Sequence, residues 1–298
     1  MSDTPARPTD AVPAPDPAGP PLPAGNDAAP ATGGGPVSRV GPGLRFAFGT
    51  LTVLPVRVRR WDRQAARAGM LCAPLAGAVV GLAAGAVGAV LLLLGAGSLT
   101  AAVAAVAVAA VLTRGLHLDG LADVADGLGS GKDAAGALAV MKRSDIGPFG
   151  VVTLVLVLLA QVAVLDGLFA RGWAVGAWGC AVAALASRTA LTFAARRGVP
   201  AARPEGLGAV VAQTVPGPGA WAVGAGVALV AAAGGVLVDA SGLPGAALQG
   251  VAAVVVGVGA AELLLRRCVR RLGGVTGDVF GAVAEVAALG CLLPLAVG

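Results

Sequence analysis

The feature that most constrains this chain is a series of long apolar segments, each close to the length with which a helix crosses a bilayer. A helix needs about 20 residues to cross a bilayer, and we count seven such apolar segments, of which the second is short. They are residues 70–93, 99–113, 149–168, 173–194, 219–238, 245–265 and 279–297. Charged residues make up only 12% of the chain and the mean hydropathy is +0.85, whereas soluble domains carry about 25% charge. This pattern predicts an all-α fold, a polytopic integral membrane helical bundle with about seven transmembrane spans.

The composition also indicates how such helices pack. The chain has 47 glycines and only 3% aromatic residues, which favours close helix contacts through small side chains. A transmembrane barrel needs alternating segments and aromatic girdles, and neither is visible. The four cysteines are scattered without metal-ligand spacing, so we interpret them as buried structural residues.

The first 43 residues differ from the rest of the chain. They are rich in Pro, Ala and Gly and contain almost no large apolar side chains, so they cannot offset the entropy cost of ordering. They also lack the basic and apolar regions of a signal peptide. We therefore predict a disordered tail at residues 1–43 and a transmembrane catalytic domain at residues 44–298.

Basic residues fall in four clusters between the apolar segments. If the spans alternate in direction, all four lie on one side, which the positive-inside bias makes cytoplasmic, and the C-terminus faces outward. Such clusters set topology, so the net charge of +5 is not a sign of nucleic-acid binding. The clusters lie at residues 57–67, 114–143, 196–203 and 266–271.

The loop after the second span holds the sequence TRGLHLDGLADVADGLGSGKD, residues 113–133. In a helix, Asp119, Asp123 and Asp126 are spaced i, i+4 and i+7 and share one face. No basic residue lies between Arg114 and Lys132, so these carboxylates repel one another unless a cation binds. Magnesium held by carboxylates and substrate phosphate oxygens is the simplest partner, and the alternative is a solvated loop face.

His117 is the chain's only histidine and precedes this triad by two residues. Without a second histidine it cannot form a histidine-rich zinc site. The residues alone leave open whether it is structural or takes part directly in chemistry.

A second polar group lies near the C-terminal end. Asp278 and Glu285 are spaced i and i+7, and Glu285 lies inside the last apolar segment, where a charge is costly and indicates function. Glu262 has a structural explanation, because it can pair with Arg266 at i+4. Cationic groups suited to a pyrophosphate-bearing substrate occur at Lys142, Arg143, Arg188 and Arg203, although anionic lipid headgroups are an alternative partner.

Together these blocks resemble the cobalamin synthases, the adenosylcobinamide-GDP ribazoletransferases. The resemblance covers about residues 46–297, and it is most specific in GLHLDGLADVADGL (115–128) and GGVTGDVFGAVAEV (273–286). Two positions depart from the family pattern: Arg114, where a small residue, often Gly, is usual, and Leu118, where a more polar one is usual. Neither is an acidic position.

The resemblance implies a Mg²⁺-dependent transfer in the bacterial cytoplasmic (inner) membrane, with the active site facing the cytoplasm. Adenosylcobinamide-GDP would give its phosphocobinamide part to α-ribazole or its 5′-phosphate and release GMP. Asp119, Asp123 and Asp126 would hold the metal, and one of them or His117 would accept the proton. Lys142, Arg143, Arg188, Arg203, Asp278 and Glu285 would bind substrate. Membrane lipid is an expected partner, and the oligomeric state is left open, with a homo-oligomer as one alternative.

Two other functions compete with this one. A CDP-alcohol phosphotransferase also uses an aspartate-rich membrane helix, but Asp123 and Val124 stand where its signature has Ala and Arg. A cation-coupled transporter would explain Glu285, yet transport sites lie near the midplane of repeated or interrupted bundles, and no internal repeat is visible.

Overall fold

The computed structural model describes residues 37–238 and 243–297, and in these residues every regular element is an α-helix. The helices are α1 (Val37–Leu51), α2 (Arg63–Leu93), α3 (Ser98–Leu112), α4 (Leu116–Gly129), α5 (Ala134–Val140), α6 (Pro148–Ala170), α7 (Trp173–Ala194), α8 (Gly206–Val211), α9 (Gly217–Val238), α10 (Leu243–Leu272) and α11 (Gly277–Ala296).

The predicted all-α membrane bundle is confirmed. Six of the seven predicted spans are single helices long and apolar enough to cross a bilayer: α2, α6, α7, α9, α10 and α11. The short second span is different, because α3 joins α4 through an 88° bend and only the pair has the length of a span. Most of the predicted tail lies outside the described residues, but α1 begins at Val37, so residues 37–43 are helical.

The most extensive helix–helix contact is between α2 and α7, which are antiparallel. Gly77, Gly81 and Gly85 of α2 meet the backbone of α7 at Ala184, Cys180 and Ala177. A Cβ at any of these glycines would lie within 3 Å of that backbone, so only glycine permits this approach. The expectation that the helices pack through small residues is confirmed here.

Successive spans alternate in direction. Ser98 at the start of α3 donates to Asp166 near the end of α6 (2.6 Å), and Gln249 near the start of α10 donates to the Val297 carbonyl (3.0 Å). Arg171, just after α6, donates to the Leu295 carbonyl of α11 (3.2 Å), so the ends of α6 and α11 lie at the same end of the bundle. The other end, which we call the basic end, holds the start of α2 and the ends of α7 and α10 with their arginines. The C-terminus therefore lies opposite the basic end.

Candidate active site at the basic end

The site begins with the bend between α3 and α4. Arg114 (φ 56°) and Gly115 (φ 64°) both have left-handed backbone conformations, which turn the chain sharply where α3 ends. The strain of this conformation is small for glycine but not for arginine. As a result α4 crosses the bundle and packs against α6 and α11.

Two glycines set the distance between α4 and α11. A Cβ at Gly120 would lie 2.6 Å from the Asp278 carbonyl oxygen, and a Cβ at Gly281 would lie 3.1 Å from the backbone of His117. The two backbones are therefore nearly in contact. This crossing brings Asp278 beside the acidic face of α4.

The loop between α7 and α8 is fixed to the start of α11 by backbone pairing. Val275 donates to the Pro200 carbonyl (2.8 Å) and accepts from the amide of Ala202 (3.0 Å). Gly274 lets the two segments touch, because a Cβ at this position would lie 2.5 Å from the Pro200 carbonyl oxygen. The surface that Gly274 approaches is therefore backbone. The pairing positions Arg203, the next residue along the loop, near Asp278.

Three carboxylates form what we call the acidic cluster: Asp119, Asp123 and Asp278. The negative charges of Asp119, Asp278 and, to a smaller extent, Asp126 act on half-buried Asp123, and the positive charge of Arg203 opposes them. Asp278 is also half-buried and accepts a hydrogen bond from the Thr276 hydroxyl (3.1 Å). Asp119 is exposed. The structure thus joins two members of the predicted triad with an acid 155 positions further along, counted from Asp123 to Asp278.

Asp126, the third member of the predicted triad, has a different environment. It is 8% exposed, and its two carboxylate oxygens accept the amides of Gly147 (2.7 Å) and Gly150 (2.9 Å). These amides lie at the start of α6, so Asp126 caps that helix from another element. A Cβ at either glycine would collide with the carboxylate.

The described residues could bind magnesium in only one way, through one or two carboxylates. Among them, no three His, Cys, Asp or Glu side chains are gathered as a group that holds a metal. Mg²⁺ is commonly bound by one or two carboxylates, with water and substrate phosphate completing its coordination. Asp119 and Asp123 suit this mode, and a magnesium site on the α4 triad stays a prediction.

A cavity of about 480 Å³ lies between α5 and the loop before α8. Lys142, Arg203 and Glu205 provide its charged lining. Arg203 also donates to the Leu138 carbonyl, which holds the loop against α5. The cavity has the size of a small-molecule site, and it brings two of the predicted substrate-binding cations together.

Arg143, next in sequence to Lys142, is engaged elsewhere. Its guanidinium binds Asp145 through two hydrogen bonds of 3.0 and 2.9 Å. This hydrogen bonding to Arg143 holds the pKa of the Asp145 carboxyl below its usual value. Both side chains are exposed to solvent, so the pair is a surface feature of the loop before α6.

The remaining predicted residues form a buried layer beneath the acidic cluster. His117 (2% exposed) places Nδ1 3.3 Å from the Nη2 of Arg188 (5% exposed). Arginine has no acceptor, so Nδ1 must be the accepting nitrogen and the ring proton lies on Nε2. Partly exposed Glu285 attracts Arg188 and accepts from the Gln161 amide (3.0 Å). The structure therefore keeps Arg188 and Glu285 away from the cavity.

Two polar atoms of this layer have no hydrogen-bond partner among the described residues: Nε2 of His117 and Nε of Arg188. Both are buried donors, which are costly to leave unpaired. Sequence reasoning missed Gln161, whose signal was a single amide in the mainly apolar helix α6. Sequence reasoning also missed Thr276, the N-cap residue of α11. Threonine is one of the residue types preferred at that position, and it stands two residues before Asp278.

The comparisons with known proteins agree with one another. The family model of cobalamin-5-phosphate synthase matches residues 43–296. Similar proteins named adenosylcobinamide-GDP ribazoletransferase include one from Frankia casuarinae, 44% identical over 85% of this chain and 93% of that protein. Another is from a Nocardioides species, 43% identical over 84% and 96%, and a third is from Escherichia coli, 38% identical over 82% and 95%.

No solved structure matches this chain. The family match covers all of α2 to α11, and it includes the acidic cluster, the cavity lining and the buried layer. The chain belongs to the cobalamin-5-phosphate synthase family.

Proposed function

We propose that this protein is a membrane-embedded transferase for the final assembly step of cobalamin. In the proposed reaction, adenosylcobinamide-GDP reacts with α-ribazole or its 5′-phosphate to give adenosylcobalamin or its 5′-phosphate, with release of GMP. Family membership supports the reaction class, because relatives with 38–44% identity carry the ribazoletransferase name.

The observation that carries the proposal is that Arg203 connects the acidic cluster to a cationic cavity. Arg203 belongs to both, since it lines the cavity and acts on Asp123 and Asp278. A pyrophosphate needs cations on its oxygens, and a transfer between oxygens needs a proton acceptor nearby. Both kinds of group lie at the basic end.

Asp119 and Asp123 are the residues that would hold Mg²⁺, with Asp278 in support. When bound, the ion would neutralise charge on the pyrophosphate and on the departing GMP. Asp126 contributes less to this role in our proposal, because both of its oxygens already accept backbone amides of α6.

The chain's own residues bind and orient the reactants. Lys142 and Arg203 pair with phosphate oxygens of the GDP moiety in the cavity. The ribazole hydroxyl oxygen forms a bond to the phosphorus that carries cobinamide, and the bond from that phosphorus to the bridging oxygen breaks. GMP leaves with the bridging oxygen. The hydroxyl proton passes to a carboxylate oxygen of Asp119 or Asp123. Positioning of the two reactants supplies much of the rate enhancement.

His117 has a positioning role in this scheme. Its accepting nitrogen faces Arg188 and its ring is buried, so it is poorly placed to take a proton from substrate. It instead fixes the start of α4 against α7, and α4 carries Asp119 and Asp123.

The test is GMP release by the full chain reconstituted in vesicles, with Mg²⁺ as the variable. Wild type should release GMP from adenosylcobinamide-GDP only when α-ribazole and Mg²⁺ are both present. Arg203→Gln should raise the KM for adenosylcobinamide-GDP, because a cavity cation is lost. Arg57→Gln, at an exposed position of the basic end before α2, is the matched control and should leave KM unchanged.

Failure would be plain in two results. Release of GMP at full rate in the presence of a metal chelator would remove the metal from the proposal. Absence of GMP release from properly inserted wild type would remove the reaction, and it would reopen the phosphotransferase and transporter alternatives.

A further inference from the structure

A second cavity, of about 600 Å³, lies outside the candidate active site, between α7, α9 and α10. Its walls are mainly apolar, from Phe193 at the end of α7, Ala228 of α9 and Val254, Val255 and Val258 of α10. From Val254 to Glu262 the groove follows α10 for about 12 Å at 1.5 Å per residue. We call it the α9–α10 groove.

One end of the α9–α10 groove is charged. Arg196 binds Glu262 through two hydrogen bonds of 2.9 and 2.8 Å, and the Nε of Arg266 binds the same carboxylate at 2.8 Å. Two arginines on one glutamate leave one net positive charge. The predicted Glu262–Arg266 pair is confirmed, and Arg196 is an addition that spacing along one helix could not reveal.

The available positive charge lies on Arg266. Its side chain is 66% exposed, and its pairing with Glu262 uses Nε. The two terminal nitrogens have no other partner among the described contacts. They therefore remain donors for an anion at the mouth of the groove.

Trp221 indicates the level in the membrane at which the charged end of the groove lies. It lines the groove, is 70% exposed, and packs edge-on against Phe193 with 5.0 Å between ring centroids. It stands one turn from the start of α9, at the basic end. Exposed tryptophans of membrane helices lie at headgroup level. Arg266 and Trp221 thus lie at headgroup level, and the apolar walls lie at the level of the acyl chains.

We propose that the α9–α10 groove binds one anionic phospholipid, with an acyl chain against α9 and α10 and the phosphate on Arg266. Charge complementarity selects the headgroup, because the charged end carries a net positive charge. The groove walls select a chain rather than a free anion. This site is separate from the acidic cluster and does not depend on the proposed reaction.

Gly259 makes a direct test possible. It lines the groove, and a Cβ there would meet no atom within 4 Å. Gly259→Leu would therefore fill the groove without displacing a neighbouring helix, and leucine favours a helix over glycine. Gly226→Leu is the matched control, because Gly226 is also on an exposed helix face with nothing within 4 Å but does not line the groove.

The experiment is native mass spectrometry of the full chain in detergent, with phosphatidylglycerol and phosphatidylcholine of the same acyl chains added in equal amounts. Wild type should retain one phosphatidylglycerol in preference to phosphatidylcholine. Gly259→Leu should lose that lipid, and Gly226→Leu should keep it. Arg266→Gln should lower the preference about fivefold, whereas Arg57→Gln should leave it unchanged.

Three results would overturn the proposal. The first is equal retention of the two lipids by wild type, which would mean that the groove does not distinguish lipids by the charge of their headgroups. The second is retention of phosphatidylglycerol by Gly259→Leu, which would place the lipid elsewhere. The third is displacement of the lipid by millimolar inorganic phosphate, which would make Arg266 a phosphate site without a chain.

Discussion

Asp123 and Asp126 lie on one face of α4, yet their carboxylates have different neighbours. The charges of Asp119 and Asp278, and more weakly that of Asp126, act on Asp123, and the charge of Arg203 opposes them. Asp126 instead accepts two backbone amides from the start of α6. A shared helix face therefore does not imply a shared task, because the partners come from other helices.

Asn substitutions should separate these two roles. Asp123→Asn relieves charge repulsion, so we expect unchanged or higher thermal stability in detergent but low GMP release and a higher Mg²⁺ requirement. Asp126→Asn leaves one oxygen for two amides, so we expect a loss of about 1–3 kcal/mol of stability. Asp133→Asn is the control for both, since Asp133 caps α5 through Gly136 and Asn caps equally well. Equal melting temperatures for the Asp123 and Asp126 variants would contradict this distinction.

The buried layer makes a separate prediction about coupling. Arg188 and Glu285 attract each other inside the bundle, so removal of either charge leaves the other uncompensated. We expect Arg188→Met and Glu285→Gln each to lower stability. The double variant should be more stable than the sum of the two losses predicts, by roughly 0.5–3 kcal/mol. Thermal unfolding of the four proteins measures this, and strict additivity would show that the two charges do not interact.

Sequence pattern predicted the acidic residues but not their arrangement. The spacing of Asp119 and Asp123 is local, so helical periodicity places them correctly. The approach of Asp278 depends on Gly120 and Gly281 at a crossing of two helices. The capping by Asp126 likewise depends on where α6 begins. Contacts between distant segments leave no periodic signal in one sequence, which is why Gln161 was missed as well.

At the scale of elements, the bend between α3 and α4 is the feature that least resembles a simple span. Hydropathy predicted the apolar stretch 99–113 but not the 88° turn after it. The turn depends on positive φ values at two consecutive residues, Arg114 and Gly115. Glycine at position 115 was a local signal for this conformation, whereas arginine at 114 was not.

The bend predicts opposite effects for two neighbouring substitutions. Arg114→Gly removes a left-handed non-glycine residue and should stabilise the protein by about 1 kcal/mol. Gly115→Ala, at φ 64° with open space around its Cβ, should destabilise it by a similar amount. Chemical or thermal unfolding in detergent measures both. Loss of stability in Arg114→Gly would mean that the exposed guanidinium has a contact worth more than the strain.

For the whole molecule, alternation of the spans predicts a topology. A reporter fused after Gly298 should be outward, and reporters inserted at Lys132, Arg203 and Arg271 should be cytoplasmic, because the basic end carries the arginine clusters. Accessibility labelling in intact cells measures each position. A cytoplasmic C-terminus would mean that α3 and α4 return to the side from which they came.

The short length of α3 has a further consequence for the membrane around it. Its 15 residues span about 22 Å, whereas the hydrocarbon core of a bilayer is about 30 Å thick. Where α3 meets lipid, the bilayer must become thinner, or the polar start of α4 must lie about 8 Å below the hydrocarbon surface. This hydrophobic mismatch makes bilayer thickness a variable that acts on the acidic cluster through α4. Vesicles of short-chain lipids should therefore support faster GMP release than vesicles of long-chain lipids with the same headgroups.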